Sequence, residues 1–446
     1  MVFVNCGVVD SHVTPSCDAN LDEIRKILTN TADTLRGDGY SVTEGSFKVF
    51  ASDLFGANPG NPYVTYFHPG AVASRLPLFS LTETSGVVFA GCTPKSAAYF
   101  SWRSYAFTSE HRIVFASLGD SLNNIVINTT GSAATTGSGG RLTAVITTAD
   151  AGTYATVGKA LRGAGLDADA VNLDAIPSDL LDMNRVEFIM LHRASVWNSS
   201  AEKSAYFAQE RPILFIDAPK NATKNPLPTL PLRPSGTGVC ESSMPGVKEG
   251  LEAIRSGVER KMLQFGYELV NESTLHDLGL DGFACLRAGT DCKGDNHDTH
   301  YLTYQDDSFT EDDAYVIVGT NSVETGKCTY TNLGLYRVSH GVVINRTKVK
   351  STNITADDRK FIGSAAFYGA ATNSVFAYLL NRTCSTEFCT SVDEKNVPRG
   401  SSWALAYRTY LEPPTATAPK LSELSLPKVL KFSRRTRHHI VPAVRD

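Results

Sequence analysis

Apolar residues along this chain gather mostly in short runs bounded by Gly, Pro and Asn, some continuous and some alternating with polar residues. Successive side chains on a strand point to opposite faces, so this pattern predicts β-strands. They fall at Ser46–Phe50, Tyr63–Phe67, Gly86–Cys92, Ala97–Phe107, Arg112–Ser117, Leu142–Thr147, Ala170–Leu173, Glu187–His192 and Ile213–Asp217. More follow at His300–Tyr304, Ala314–Thr320, Lys327–Val338, Gly341–Asn345, Val375–Leu380, Trp403–Leu411 and Val429–Phe432. A helical period is rarer. In Asn20–Gly37, Leu21, Ile24, Ile27 and Leu28 share one stripe, Asn20 can cap it and Gly37 can end it. Further helices are expected at Asp150–Leu161, Ala201–Gln209, Val247–Phe265 and Ala356–Tyr368. The Gly/Ser/Thr-rich stretch Thr130–Gly140 reads as an exposed connector and carries no phosphate-binding motif.

This mixture predicts an α+β protein, mixed β-sheets with flanking helices. Pro219, Pro226, Pro228, Pro231 and Pro234 exclude a helix or an inner strand between residues 217 and 240. That proline-rich linker divides an N-terminal α+β domain, 1–216, from a C-terminal one, 241–446. The two have a common pattern. Val87–Thr93 leads through a polar turn into Tyr99–Phe107 and then Ile113–Phe115, while Tyr315–Asn321 leads through a similar turn into Cys328–Tyr336 and then Val342–Ile344. One reading is an ancient duplication, with a site where the halves face each other; the other is chance likeness among strand-turn-strand units.

Composition narrows the class. The chain has 446 residues, 42% hydrophobic and 20% charged, enough to bury a core. Its 42 basic and 46 acidic residues give 42 − 46 = −4, a balance without the field needed to grip nucleic acid or anionic lipid. No apolar run reaches the roughly 18 residues of a membrane span. Met1–Asp10 lack the basic and apolar parts of a secretory signal, so the chain is either cytosolic or starts at a processed end. Cysteines and sequons favour the second. Of nine cysteines, Cys6/Cys17, Cys285/Cys292 and Cys384/Cys389 are spaced for local disulfides, which persist in oxidising compartments. Cys92, Cys240 and Cys328 remain, and the odd total leaves at least one thiol free or paired between chains. Asn-x-Ser/Thr sequons at Asn128, Asn198, Asn221, Asn271, Asn345, Asn353 and Asn381 complete the expectation of a secreted or lumenal glycoprotein.

Candidate chemistry is sparse. Gly119-Asp120-Ser121-Leu122 follows a predicted strand and resembles the first block of the GDSL family of esterases and lipases. The resemblance implies Ser121 as nucleophile, with Gly319-Thr320-Asn321 echoing that family's oxyanion block. The sequence departs from the family in having no histidine preceded three residues earlier by aspartate, and in the long spacing to Asn321. A tight turn is the structural alternative. On the Ala97–Phe107 strand, Tyr99, Ser101, Arg103 and Tyr105 share one face, opposite Phe100, Trp102 and Ala106. Arg103 could clamp a carboxylate beside phenols that move protons; the corresponding strand offers Tyr330, Asn332 and Tyr336. The same residues could equally form a solvent-facing surface. His192 ends a hydrophobic strand and His68 follows another, positions suited to acid–base work or simply to bonding a loop carbonyl. Asp295-Asn296-His297-Asp298-Thr299-His300 is dense in metal-ligand types but matches no ligand spacing, so no metal is expected. The basic tail at Arg434–His439 is too short for nucleic-acid recognition.

These readings predict a secreted or lumenal, cofactor-independent enzyme, hydrolase or lyase left open. It would act by acid/base chemistry on a small, carboxylate-bearing substrate in a cleft between the halves. Arg103, Asn321, Asn332 and His68 would bind the substrate, and His192, Tyr99, Tyr105 or Tyr330 would move protons. Two alternatives stand beside it: an extracellular glycoprotein that binds without catalysis, and a GDSL-like serine esterase using Ser121. Oligomeric state stays open.

Overall fold

The computed structural model of the chain describes residues 21–50, 58, 62–69, 76–131, 139–340 and 347–434. The first part comprises α1 (Leu21–Gly37), β1 (Ser41–Phe50), β2 (Tyr63–Phe67), β3 (Ser85–Cys92), β4 (Ala97–Ser109), β5 (Arg112–Ser117) and β6 (Leu122–Asn123). It continues with β7 (Leu142–Thr148), α2 (Ala151–Gly163), β8 (Val171–Ala175), β9 (Val186–Trp197), α3 (Ser200–Ala208) and β10 (Arg211–Asp217). The second part comprises α4 (Val247–Gln264), β11 (Tyr267–Thr274), β12 (His276–Asp277), α5 (Gly282–Ala288), β13 (Thr299–Asp306), β14 (Asp313–Thr320) and β15 (Tyr330–His340). After these come β16 (Thr347–Asp357), α6 (Asp358–Phe361), α7 (Ser364–Phe367), β17 (Val375–Asn381), β18 (Cys389–Ser391), β19 (Trp403–Tyr410) and β20 (Lys428–Arg434). The fold is α+β.

One ten-stranded sheet runs β5-β4-β9-β2-β1-β10-β3-β7-β8, with β6 on β4. The second part holds two five-stranded sheets, β11-β20-β14-β17-β18 and β12-β13-β19-β15-β16. Strand by strand the orders coincide: β1-β10-β3-β7-β8 matches β11-β20-β14-β17-β18, and β5-β4-β9-β2 matches β16-β15-β19-β13. Even the parallel pairs correspond, β7 with β8 and β17 with β18.

Apolar alternation turns this order into layers. Phe47, Phe89, Val145 and Ile213 pack against Val64, Trp102, Phe188 and Met190 within the first part. Ile317, Phe376, Tyr378 and Val429 pack against Leu302, Leu333, Leu335 and Leu405 within the second. Helices seal one outer face of each sandwich: Ile24, Leu28, Val157 and Leu161 lie against Val88 and Ile146, and Ile254, Val258 and Met262 lie against Val316 and Leu430. The faces of β4/β9 and β15/β19 left over meet each other, bringing Tyr99 against Tyr330, Tyr410 and Leu411.

Several expectations need correcting. The helix expected at Ala356–Tyr368 is two single turns, α6 and α7, separated at Gly363, whose φ of 87° an L side chain rarely adopts. The strand expected at Gly341–Asn345 and the Cys6/Cys17 pair lie outside the described residues. Cys285–Cys292 and Cys384–Cys389 are disulfides and Cys92 is bonded in one as well, while Cys240 and Cys328 are free thiols. Asn381 is buried, its amide donating to Asp313 O at 2.9 Å, so the folded chain closes that sequon; Asn128, Asn198, Asn221 and Asn271 are exposed. The 217–240 segment is a strap. Leu227 N donates to Ala149 O at 2.7 Å near its middle, and Gly238 N donates to Glu423 at 2.8 Å near its end. Among the described residues no helix is long and apolar enough to cross a membrane.

Candidate functional site

The layer where the two parts meet is lined by arginine and tyrosine. Arg193, in the middle of β9, pairs across to Tyr63 of β2 and Ser101 of β4. Arg408, in the middle of β19, pairs across to Tyr301 of β13 and Asn332 of β15. Opposed residues of antiparallel strands share a face, so each guanidinium sits among phenols of its own sheet. Arg193 lies 5.2 Å from the ring centre of Tyr63 and 5.3 Å from that of Tyr105. Arg408 lies 5.3 Å from Tyr301 and 5.5 Å from Tyr336. The likeness extends to sequence, Tyr63-Val64-Thr65-Tyr66 on β2 corresponding to Tyr301-Leu302-Thr303-Tyr304 on β13. Tyr99 joins the rows, its ring 4.6 Å from Tyr410 and 6.4 Å from Tyr330.

The electrostatics are unbalanced. Arg193 and Arg408 are each 4% exposed. Buried Arg103 has Asp174 at 3.0 Å, whereas among the described residues neither Arg193 nor Arg408 has a carboxylate partner. Arg408 donates to Asn332 Oδ1 at 3.3 Å and to the Tyr336 hydroxyl. Arg193 Nη1 and the Tyr105 hydroxyl find no hydrogen-bond partner. Burial disfavours the cation, yet the pKa of both arginines lies above the already very high ordinary guanidinium value, so both stay charged. Burial in turn pushes Tyr99, Tyr105, Tyr301 and Tyr330 up, and Tyr410 to about 12. At neutral pH these phenols are protonated, hence hydrogen-bond donors rather than counter-charges.

Of the residues singled out by sequence, Tyr99, Tyr105, Tyr330, Asn332 and Tyr336 belong to this layer; Arg103, His192, His68, Asn321 and Ser121 do not. Arg103 is no free clamp: besides Asp174 it donates to the carbonyls of Ser104, Asp120 and Ala175. His192 faces the apolar core on the other side of β9, its ring 4.0 Å from that of Trp102. Its Nδ1–H donates to Ser101 O at 3.1 Å and its Nε2 accepts from the Tyr206 hydroxyl at 2.9 Å. Burial, helped by Arg211, holds its pKa well below the ordinary imidazole value, so it is neutral and fully engaged. His68 is exposed and bonds Pro69 O at 2.8 Å. Asn321 is buried where β14 ends, its backbone N donating to Ser374 O. Ser121 is buried and donates to Asn296 Oδ1 at 3.1 Å; the neighbouring Asp120 takes Nδ1 of His297, so serine and imidazole are not paired. Arg103, His192 and Asn321 therefore do not assemble into one site.

The Asp295–His300 stretch is a joint between the parts. Asp295 accepts from Ser117 N at 2.7 Å and Ser117 Oγ at 2.6 Å, and Asp298 accepts from Tyr99 and Asn123, both at 2.9 Å. His300 turns instead to Pro419 O at 2.8 Å. Its side chains go to separate partners, and among the described residues no three metal-ligand side chains converge.

Sequence reasoning missed Arg193, Arg408, Tyr63 and Tyr301. The signal was present: carrying the internal comparison from β4/β15 on to β9/β19 aligns His192-Arg193 with Tyr407-Arg408.

No protein-family model matches the chain, and no curated protein matches it. Among solved structures, an uncharacterised protein from Burkholderia cenocepacia superposes with a TM-score of 0.44 at 11% identity, over 96% of this chain and 92% of that one. The VPA0106 protein from Vibrio parahaemolyticus gives a TM-score of 0.36 at 10% identity, over 93% and 98%.

Proposed function

We propose that this chain binds a small organic anion between its two halves, gripped by Arg193 and Arg408, in an oxidising compartment outside the cytosol. One observation carries the reading: two buried guanidiniums without carboxylate partners, set among protonated phenols. Two cation–π contacts at about 2 kcal/mol each bring about 4 kcal/mol per arginine. Taking an ion out of water still costs several kcal/mol after relaxation, and two like charges in one layer also repel. An anion supplies what is lacking, and the phenol hydroxyls can donate to it. Recognition is favoured over acid–base turnover because the layer offers cations and protonated phenols, while His192 is neutral and on the far face. The disulfides and the exposed sequons support the compartment.

Thermal unfolding at matched ionic strength tests the reading. Acetate, chloride or inorganic phosphate is expected to raise the midpoint of the intact chain, and Arg193→Met and Arg408→Met to remove the increase. A midpoint indifferent to all three anions sinks the proposal.

A further inference from the structure

Resting on that anion-binding reading, we infer that the ligand is a small dicarboxylate, one carboxylate seated on Arg193 and the other on Arg408. Each arginine occupies the middle of its strand, faces the shared layer and has a tyrosine opposite it on the neighbouring strand. Each also has a second tyrosine under the guanidinium, Tyr105 or Tyr336. The two seats are built alike from matching strands of the two halves, so they call for a ligand with the same chemical group at both ends. Two buried cations require two negative charges. The planar fork of an arginine fits a carboxylate in bidentate fashion. A single tetrahedral anion has one centre and would have to draw both forks to one point, whereas the arginines belong to different sheets. The seats also differ in a useful way. Arg408 already donates to Asn332 and Tyr336, while Arg193 Nη1 and the Tyr105 hydroxyl are unpartnered, leaving the Arg193 seat more donors to offer. Nothing in the recognition chemistry of either seat demands more than a carboxylate.

Isothermal titration of the intact chain with acetate, inorganic phosphate, malonate, succinate and glutarate, at one ionic strength, tests this. At least one dicarboxylate is expected to bind tenfold or more tighter than acetate. Arg193→Met and Arg408→Met should each bring that dicarboxylate down to the acetate level. Should either fail to fold, Arg193→Lys and Arg408→Lys keep the charge, remove the fork and are expected to weaken the dicarboxylate by tenfold or more. Equal affinity for acetate and every dicarboxylate overturns the dicarboxylate while leaving an anion site, and so does phosphate binding tighter than all of them. Binding of no anion, or dicarboxylate binding unchanged in both arginine variants, overturns this inference and the anion-binding reading together.

Discussion

His192 and Arg193 are adjacent on β9 and divide its two faces between them: the imidazole enters the core beside Trp102 and Phe47, and the guanidinium enters the layer between the halves. From this follows an outcome opposite to that of a catalytic histidine. His192→Ala removes a packed ring together with its hydrogen bonds to the Ser101 carbonyl and the Tyr206 hydroxyl. It is expected to lower stability by about 3 kcal/mol, from lost packing and lost hydrogen bonds, while anion affinity stays unchanged. Chemical denaturation with a parallel titration measures both; unchanged stability with lost binding would reverse the assignment. Arg103→Met follows the same logic, since it strands the Asp174 carboxylate, whose side chain is 0% exposed, and a broken buried pair costs about 3–5 kcal/mol. The nominated phenols Tyr99 and Tyr105 were legible because a two-residue alternation puts them on one face. Arg193 was not, because the run Arg193–Trp197 mixes polar and apolar residues and reads as a strand end. The strand in fact continues to Trp197, and its polar positions Arg193 and Ser195 are buried inside the molecule rather than facing solvent.

At the scale of elements, close approach decides where helices sit. Gly257 on α4 faces the backbone of Tyr368, just past α7, and a Cβ built there would stand 1.6 Å from the Tyr368 carbonyl oxygen. In an exposed helix interior, Gly→Ala gains about 1 kcal/mol of helix propensity. Here the clash is with backbone, which cannot swing away, and overpacking costs about 1–3 kcal/mol or more. Gly257→Ala is therefore expected to destabilise, read as a lower urea midpoint; a raised midpoint would mean that α4 rides clear of Tyr368. Most strands were readable as short apolar runs between turn residues, since the central ones, such as β3, β14 and β17, are buried on both faces. The elements that escaped have local reasons. β11 is an edge strand with a largely exposed pattern, and α5 is a two-turn helix tied by Cys285–Cys292 instead of by an apolar stripe. The expected long helix near residue 360 had the right apolar spacing but met Gly363, whose positive φ breaks the helical ladder.

The strand orders of the two parts coincide, and the second part would be free to drift if nothing bound it to the first. Beyond the Asp295–Asp298 joint, the strap is fixed by a buried charge cluster. Lys327 reaches both Glu412 and Glu423, and Glu423 in turn receives Thr237 N at 3.1 Å and Gly238 N at 2.8 Å. The hydrogen bond from Lys327, outweighing burial, holds the Glu423 carboxyl down at about 2, against an ordinary value of 4.5. A depressed folded pKa stabilises above the unfolded value and loses that contribution as pH falls. Glu423 therefore supports the strap fully above about pH 4.5 and progressively less down to about pH 2. In Lys327→Met the cation that holds the Glu423 carboxyl down is gone, so protonating that buried carboxyl no longer breaks a charge pair and acid should relieve the variant rather than harm it. The stability deficit of Lys327→Met relative to the parent is accordingly expected to be largest at pH 7 and to shrink toward pH 3. Unfolding midpoints of both chains across that range measure it. A deficit that is constant with pH would mean that the lysine acts through its packed stem, and the strap would then owe its position to Leu227 and the backbone bonds alone.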